Sequence, residues 1–219
     1  MSPRPFERPA TIGLPDAPDL PAGASLDGLW LPPRGEGGAA RGGAVVAAPH
    51  PMMGGSMESP VATEVGMAAS DAGYASLRFN WRGVGASAGS PSGEMQDADV
   101  DYRAALEFMQ ESVEGPILAC GYSWGALAAS RIGIGSKRVR KLVLIAPPPA
   151  MLDSAALAES GLGLLVVAGD CDDYVAIDSL REALDEVAEA SLIVLEGVDH
   201  FFMTGLADVG RGVRGWLEG

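Results

Sequence analysis

Short apolar segments recur along the chain at intervals of helix length, and this alternation constrains the fold more than any other feature. Their apolar residues are consecutive instead of alternating with polar ones, which is typical of strands buried on both faces of a sheet. Such strands are predicted at residues 43–49, 75–80, 116–121, 141–146, 162–168 and 191–195. Before them, a strand is predicted at Ser25–Leu31 and a glycine-rich turn at 34–43, so one or two antiparallel strands are expected there.

The segments between these strands have the length and spacing of helices. Behind Glu94 and Asp97, apolar side chains recur at helical spacing, which predicts an amphipathic helix; they are Ala98, Tyr102, Ala105, Leu106 and Met109. Helices are also predicted at 124–134, 178–190 and 206–217. Strands that alternate with helices predict an α/β fold, a mostly parallel central sheet with helices on both faces. Because no linker of the domain-boundary type is visible, residues 1–219 are predicted to form a single domain.

The charge balance limits the partners that the chain can bind. Aspartate and glutamate number 29 against 15 lysines and arginines, which gives a net charge of -14. Such a surface repels phosphate backbones and anionic lipid, so neither nucleic-acid nor membrane binding is expected. The proline-rich residues 1–21 contain no apolar segment typical of a signal peptide, and no apolar run approaches the roughly 18 residues that span a bilayer. The expected location is therefore the cytoplasm.

Cysteine and histidine are scarce. Cys120 and Cys171 are too few for a disulfide framework and are expected to be small buried hydrophobic residues. Together with the only histidines, His50 and His200, they do not suggest a four-ligand zinc site. The glycines after Arg82 do not follow the dinucleotide-binding spacing, and a loop instead of a helix is predicted behind them. No metal or organic cofactor is expected.

The motif G-x-S-x-G occurs twice, around Ser87 and around Ser123. A nucleophilic serine of this motif needs a sharp turn from a strand into a helix, so that its hydroxyl projects above the sheet. Ser123 meets this requirement, because a predicted strand precedes it and a helix rich in small residues follows. Ser87 runs into a loop of glycine, serine and proline. Ser123 is therefore the candidate nucleophile, and Ser87 is interpreted as a loop serine.

A serine nucleophile needs a base, and the base needs an acid that orients it. His200 is the only histidine after Ser123, and it follows the end of a predicted strand. Three aspartates follow the preceding predicted strand, namely Asp170, Asp172 and Asp173. Their spacing alone does not choose among them.

Five segments together resemble the α/β-hydrolase superfamily, in particular its small, lidless, dienelactone-hydrolase-like bacterial serine hydrolases. They are HPMMGG at 50–55, LRFNWRGVG at 77–85, GYSWG at 121–125, GDCD at 169–172 and DHFF at 199–202. The resemblance implies an α/β-hydrolase fold and a Ser-His-Asp triad. It also implies that Asp172, three positions after the glycine of its turn, is the triad acid.

The resemblance further implies an oxyanion hole made of two backbone amides. One donor should be Trp124, which follows the serine. The other should come from the loop after the strand at 43–49. Proline has no N–H, so Pro51 cannot donate and Met52 is expected to do so. His50 is expected to shape the mouth of the pocket.

About 15 residues separate the predicted strands that end at 146 and begin at 162, too few for a multi-helix lid. No cap domain is therefore expected, and the site should be open and shallow. Its expected walls are Met52, Met53, Tyr122, Trp124, Met151, Tyr174 and Phe201. The predicted function is carboxylester hydrolysis on a small-molecule acyl ester. A thioesterase, lactonase or small peptidase with the same triad, or a non-catalytic binding protein, are the alternatives.

Overall fold

A computed structural model of the chain describes residues 7–34 and 40–219. These residues contain eight strands that form one sheet in the order β1-β2-β4-β3-β5-β6-β7-β8. The strands are β1 (Arg8–Gly13), β2 (Ser25–Leu31), β3 (Gly43–Ala47), β4 (Ala75–Phe79), β5 (Ile117–Tyr122), β6 (Val139–Ile145), β7 (Gly163–Gly169) and β8 (Ala190–Leu195). β1 and β2 pair antiparallel, β2 pairs antiparallel with β4, and every other pairing is parallel.

The predicted strands are confirmed with small shifts of their ends. All residues of β3, β4 and β5 are buried, as their continuous apolar sequence indicates. One or two antiparallel strands were expected before residue 43, and the structure has two, β1 and β2. Residues 35–39, half of the predicted turn at 34–43, lie outside the described residues.

Within the described residues, six α-helices connect and cover the strands. They are α1 (Pro60–Asp71), α2 (Met95–Ser112), α3 (Trp124–Ile134), α4 (Ser154–Ser160), α5 (Ile177–Leu184) and α6 (Leu206–Glu218). The chain moves from β3 to β4 in one direction and from β4 back past β3 to β5 in the other. Right-handed crossovers in opposite directions place α1 and α2 on opposite faces of the sheet. α6 packs against α1 and α3 packs against α2, so both faces are covered.

Three helices differ from the sequence prediction: α1 and the short α4 are not predicted, and α5 ends early. No helix is predicted at Pro60–Asp71, although its buried residues include Val61, Ala62, Val65 and Ala69 at helical spacing. The small side chains of this segment give a weak periodicity, which hides the helix. α5 ends at Leu184 instead of residue 190. Asp185 and Glu186 follow directly, and acidic side chains are unfavourable at the negative end of a helix dipole.

The segment between β6 and β7 is too short for a lid, as predicted. It contains a single 3-10 turn at Pro149–Met151 and the seven-residue α4. The Asp153 side chain caps α4 by accepting a hydrogen bond from the Ala156 N–H at 3.0 Å. Over the two described ranges, no helix has both the length and the apolar character needed to cross a bilayer.

The strand order reverses between β3 and β5. In an open α/β sheet, the loops at the carboxyl ends of such neighbouring strands diverge and leave a crevice. His50 follows β3 and Ser123 follows β5, so both residues lie at this crevice.

Candidate active site

Ser123 occupies a sharp turn between the last residue of β5 and the first residue of α3. Its φ of 53° and ψ of -114° lie in a region that non-glycine residues rarely adopt, at a cost of about 1–3 kcal/mol. A Cβ at Gly121 would overlap the carbonyl oxygen of Gly125, and one at Gly125 would overlap that of Ala48. The two glycines of the motif are therefore required by space, and the strained turn directs the serine into the crevice.

The structure brings Ser123, His200 and Asp172 together. Ser123 Oγ lies 3.0 Å from His200 Nε2, and His200 Nδ1 lies 2.7 Å from Asp172 Oδ2. The Asp172 side chain is fully buried, and its Oδ1 accepts hydrogen bonds from the Tyr174 and Val175 N–H groups at 2.8 and 3.0 Å. Both carboxylate oxygens of Asp172 therefore have partners, which fixes its orientation toward the imidazole.

Only one of the three candidate aspartates contacts His200 in this way. Asp170 instead accepts a hydrogen bond from the Gly197 N–H at 2.6 Å, and Asp173 is exposed. The Tyr122 hydroxyl donates to the His200 carbonyl oxygen at 2.7 Å and so fixes the backbone of the histidine. Burial and the negative charges of Asp172 and Asp199 raise the pKa of Tyr122, which keeps this hydroxyl a donor.

The second motif serine, Ser87, has a structural role, because its hydroxyl bonds to two backbone groups. It is buried, donates to the Asn80 carbonyl oxygen at 3.0 Å and accepts from the Asp27 N–H at 2.9 Å. Nearby, the Arg82 guanidinium pairs with Asp101 at 2.8 Å and with Asp97 at 2.6 Å. These bonds pin the loop after β4 to β2 and α2, and Arg82 does not line the cavity at Ser123.

A cavity of about 460 Å³ opens above Ser123. Of the predicted walls, Met53, Tyr122, Trp124, Met151, Tyr174 and Phe201 line it. Met52 does not, and its side chain is 62% exposed, so its prediction as a wall is wrong. Ser59, Pro60 and Val61 also line the cavity, from the start of α1, and were not predicted from the sequence. The Ser-Pro pair was the available signal, because proline favours the first position of a helix.

The loop after β3 holds His50 and Met52 in a fixed arrangement. The Met52 N–H donates to His50 Nδ1 at 3.1 Å, and the imidazole packs on the Trp124 indole with ring centres 4.5 Å apart. Burial lowers the pKa of His50, so the ring is neutral near pH 7 and carries its proton on Nε2. The Met52 amide is therefore already engaged, and its assignment as an oxyanion donor stays a prediction.

The cysteines differ in their surroundings. Cys120 is buried in β5, and burial raises the pKa of its thiol. Cys171 is exposed, so its prediction as a buried residue is wrong; a hydrogen bond to Asp170 raises the pKa of its thiol. Among residues 7–34 and 40–219, no group of three histidine, cysteine or acidic side chains is arranged to hold a metal ion.

Comparison with known proteins supplies the family. A sequence profile of the alpha/beta hydrolase family matches residues 50–164, more than half of the chain. The chain belongs to this family. An alpha-beta serine hydrolase homologue from Coxiella burnetii is 25% identical with a TM-score of 0.83, over 95% of this chain and 97% of its own. A lidless serine hydrolase from Xanthomonas campestris is 27% identical with a TM-score of 0.78, over 97% and 96%.

The two structural similarities extend over nearly the whole chain of this hydrolase. An uncharacterized protein from Rickettsia prowazekii (strain Madrid E) is also 26% identical over 185 residues, and the match covers 80% of this chain and 77% of the relative. The family and its serine hydrolase neighbours confirm the α/β-hydrolase fold without a cap domain, and they support hydrolase activity.

Proposed function

We propose that this hydrolase is a carboxylesterase with Ser123 as nucleophile, His200 as general base and Asp172 as the acid that orients the base. One observation carries the proposal. Hydrogen bonds of 3.0 and 2.7 Å join the three side chains into a continuous chain, and its serine end lines an open cavity. A serine hydroxyl is a weak nucleophile unless a base within hydrogen-bond reach removes its proton.

The reaction follows from this order of groups. Ser123 Oγ attacks the acyl carbon while His200 Nε2 takes the hydroxyl proton, and Asp172 stabilises the resulting imidazolium through Nδ1–H. The tetrahedral intermediate then expels the alkoxide, which receives the proton from His200. Water, activated by His200 in turn, hydrolyses the acyl-enzyme and regenerates Ser123. No cofactor takes part in any of these steps.

Backbone amides would stabilise the oxyanion of each tetrahedral intermediate. Trp124 is the first residue of α3, so its N–H has no partner within the helix and lies at the positive end of the helix dipole. Met52 can act as the second donor only when its hydrogen bond to His50 breaks. The backbone N–H of His50 is an alternative second donor, because His50 lines the cavity and Met52 does not. One such donor typically contributes about 3 kcal/mol to lowering the barrier.

The bond type is tested with three substrates that carry the same acyl group as oxygen ester, thioester and amide. We expect the oxygen ester to be hydrolysed fastest and the amide slowest, because an amine leaves only after His200 has protonated it. Preference for the thioester or the amide would replace the carboxylesterase assignment by one of the other acyl hydrolases. Lack of turnover of all three would favour a binding protein that has kept the fold.

A further inference from the structure

The cavity above Ser123 has almost no means of recognising charge. Among the described residues that line it, none is lysine, arginine, aspartate or glutamate. Three of its polar side chains are engaged, since the Tyr122 hydroxyl donates to the His200 carbonyl oxygen and Ser123 and His200 bond each other. The Trp124 indole N–H has no partner among the described residues, but it carries no charge. A carboxylate or phosphate that entered would lose its hydration without gaining a cation as partner. The walls therefore favour an uncharged group.

More than half of the exposed large hydrophobic residues that the structure describes line the cavity. Seven large hydrophobic side chains are exposed in the described part of the chain: Met52, Met53, Met151, Val194, Tyr174, Phe201 and Met203. Four of the seven line the cavity, namely Met53, Met151, Tyr174 and Phe201. Concentrated apolar exposure on an acidic protein marks a binding site, and flexible methionines fit ligands of varied shape.

The charges around the cavity oppose anions as well. Asp173 directly follows Asp172, and Asp199 directly precedes His200. The whole chain also carries a net charge of -14. Arg82 cannot offset them, because Asp101 and Asp97 hold its guanidinium away from the cavity. An anionic substrate is thus repelled on approach and finds no partner on arrival.

The position of His200 determines where the leaving alcohol of the substrate lies. The leaving alcohol must lie against His200, from which it receives its proton, and Phe201 and Tyr174 surround that imidazole with ring centres 5.7 and 4.9 Å away. The remaining apolar lining, which includes Met53 after β3 and Met151 after β6, is then available to the acyl group.

We propose that the substrates are neutral esters whose acyl group is a medium-length alkyl or arylalkyl chain, and that esters with an anionic acyl group are discriminated against. This inference rests on the proposed carboxylesterase function. It assigns Met151 as a residue that determines specificity, because its half-exposed side chain lines the cavity and has no charge to hold an anion.

The test uses p-nitrophenyl esters, which share one leaving group. We compare the acetyl ester, the hexanoyl ester and the adipoyl half-ester, which has a hexanoyl-length chain ending in a carboxylate. We expect kcat/KM to rise roughly tenfold or more from acetyl to hexanoyl through burial of methylene groups. The carboxylate-ended ester should fall roughly tenfold or more below the hexanoyl ester.

Two variants, each with one added positive charge, then test whether the selection against the carboxylate-ended ester arises at the cavity wall. Met151→Lys places a cation on the cavity wall and should reduce the ratio of kcat/KM between the hexanoyl and adipoyl esters by about three- to tenfold. Added salt should weaken this effect. Met203→Lys adds the same charge at a residue that is 81% exposed and outside the lining, and should leave the gap unchanged. Equal narrowing by both variants would overturn the assignment of Met151.

The outcomes separate this inference from the proposed function. Preference for the acetyl ester, or equal turnover of the hexanoyl and adipoyl esters, would overturn the inference while ester hydrolysis itself stood. Failure to hydrolyse any of the esters, together with no reaction of Ser123 with a fluorophosphonate, would instead overturn the proposed function.

Discussion

Replacing Ser123 with alanine should lower kcat for ester hydrolysis by about 10⁶-fold, to the small residual rate that binding and the oxyanion donors still provide. Alanine has no hydroxyl to attack the acyl carbon, and His200 cannot take over that role. The free energy of unfolding should change by less than about 0.5–1 kcal/mol, because alanine keeps the Cβ and loses only the hydrogen bond to His200. Steady-state kinetics and thermal unfolding measure the two effects.

Ser87→Ala is the matched control for this variant, because Ser87 occupies the other G-x-S-x-G motif. It should keep turnover near that of the unsubstituted protein. It should lose about 1–3 kcal/mol of stability, since the buried Asp27 N–H and Asn80 carbonyl oxygen lose their shared partner. Retained turnover in Ser123→Ala, or lost turnover in Ser87→Ala, would contradict the assignment.

Asp172→Asn should lower kcat by about 10⁴-fold with little change in structure. The Asn carbonyl oxygen can still accept from the Tyr174 and Val175 N–H groups, which turns its NH₂ group toward His200 Nδ1. An N–H donor there forces the neutral imidazole to carry its proton on Nε2, so Nε2 can no longer accept the proton of Ser123. The fall in kcat therefore comes from the wrong tautomer of His200 and not from altered packing.

Asp170→Asn and Asp173→Asn provide controls with the same chemical change one or two positions away. Both should stay within about threefold in kcat, because neither carboxylate contacts His200 and surface substitutions of this kind have small effects. Kinetics of the three variants on one ester decide the matter. A larger loss at Asp173 than at Asp172 would show that the acid had been misassigned by one position.

The sequence predicted the parts of this protein that depend on strong local patterns. The apolar runs of β3 to β8 are consecutive because both faces of the sheet are covered, and that pattern is readable without a structure. Ser123 could be separated from Ser87 because only one of them follows a strand and precedes a helix. The choice of Asp172 required the family resemblance, since three aspartates share one turn and only their side-chain directions differ.

Other features depend on contacts that no local pattern encodes. The hydrogen bond from the Met52 N–H to the His50 ring, which engages the expected oxyanion donor, depends on the path of the loop after β3. α1 was missed because its small residues pack closely without a strong periodic signal. Cys171 is exposed because its turn leaves the sheet at the end of β7, although its neighbour Asp172 is buried.

The strained backbone at Ser123 connects the fold to the proposed chemistry. Two glycines without side chains allow β5 and α3 to approach closely enough for this turn. The turn sets the serine at the point where the strand order reverses, so that loops after β3, β7 and β8 all reach it. The packing of the sheet on either side offsets the cost of this backbone conformation, which is about 1–3 kcal/mol.

Labelling with a fluorophosphonate, followed by peptide mass spectrometry, tests the central claim most directly. This reagent phosphonylates a serine hydroxyl that an adjacent base has activated, independently of the natural substrate. We predict a single modified peptide with the adduct on Ser123, and no labelling in Ser123→Ala. Labelling on Ser87, or no labelling of the folded protein, would contradict the account.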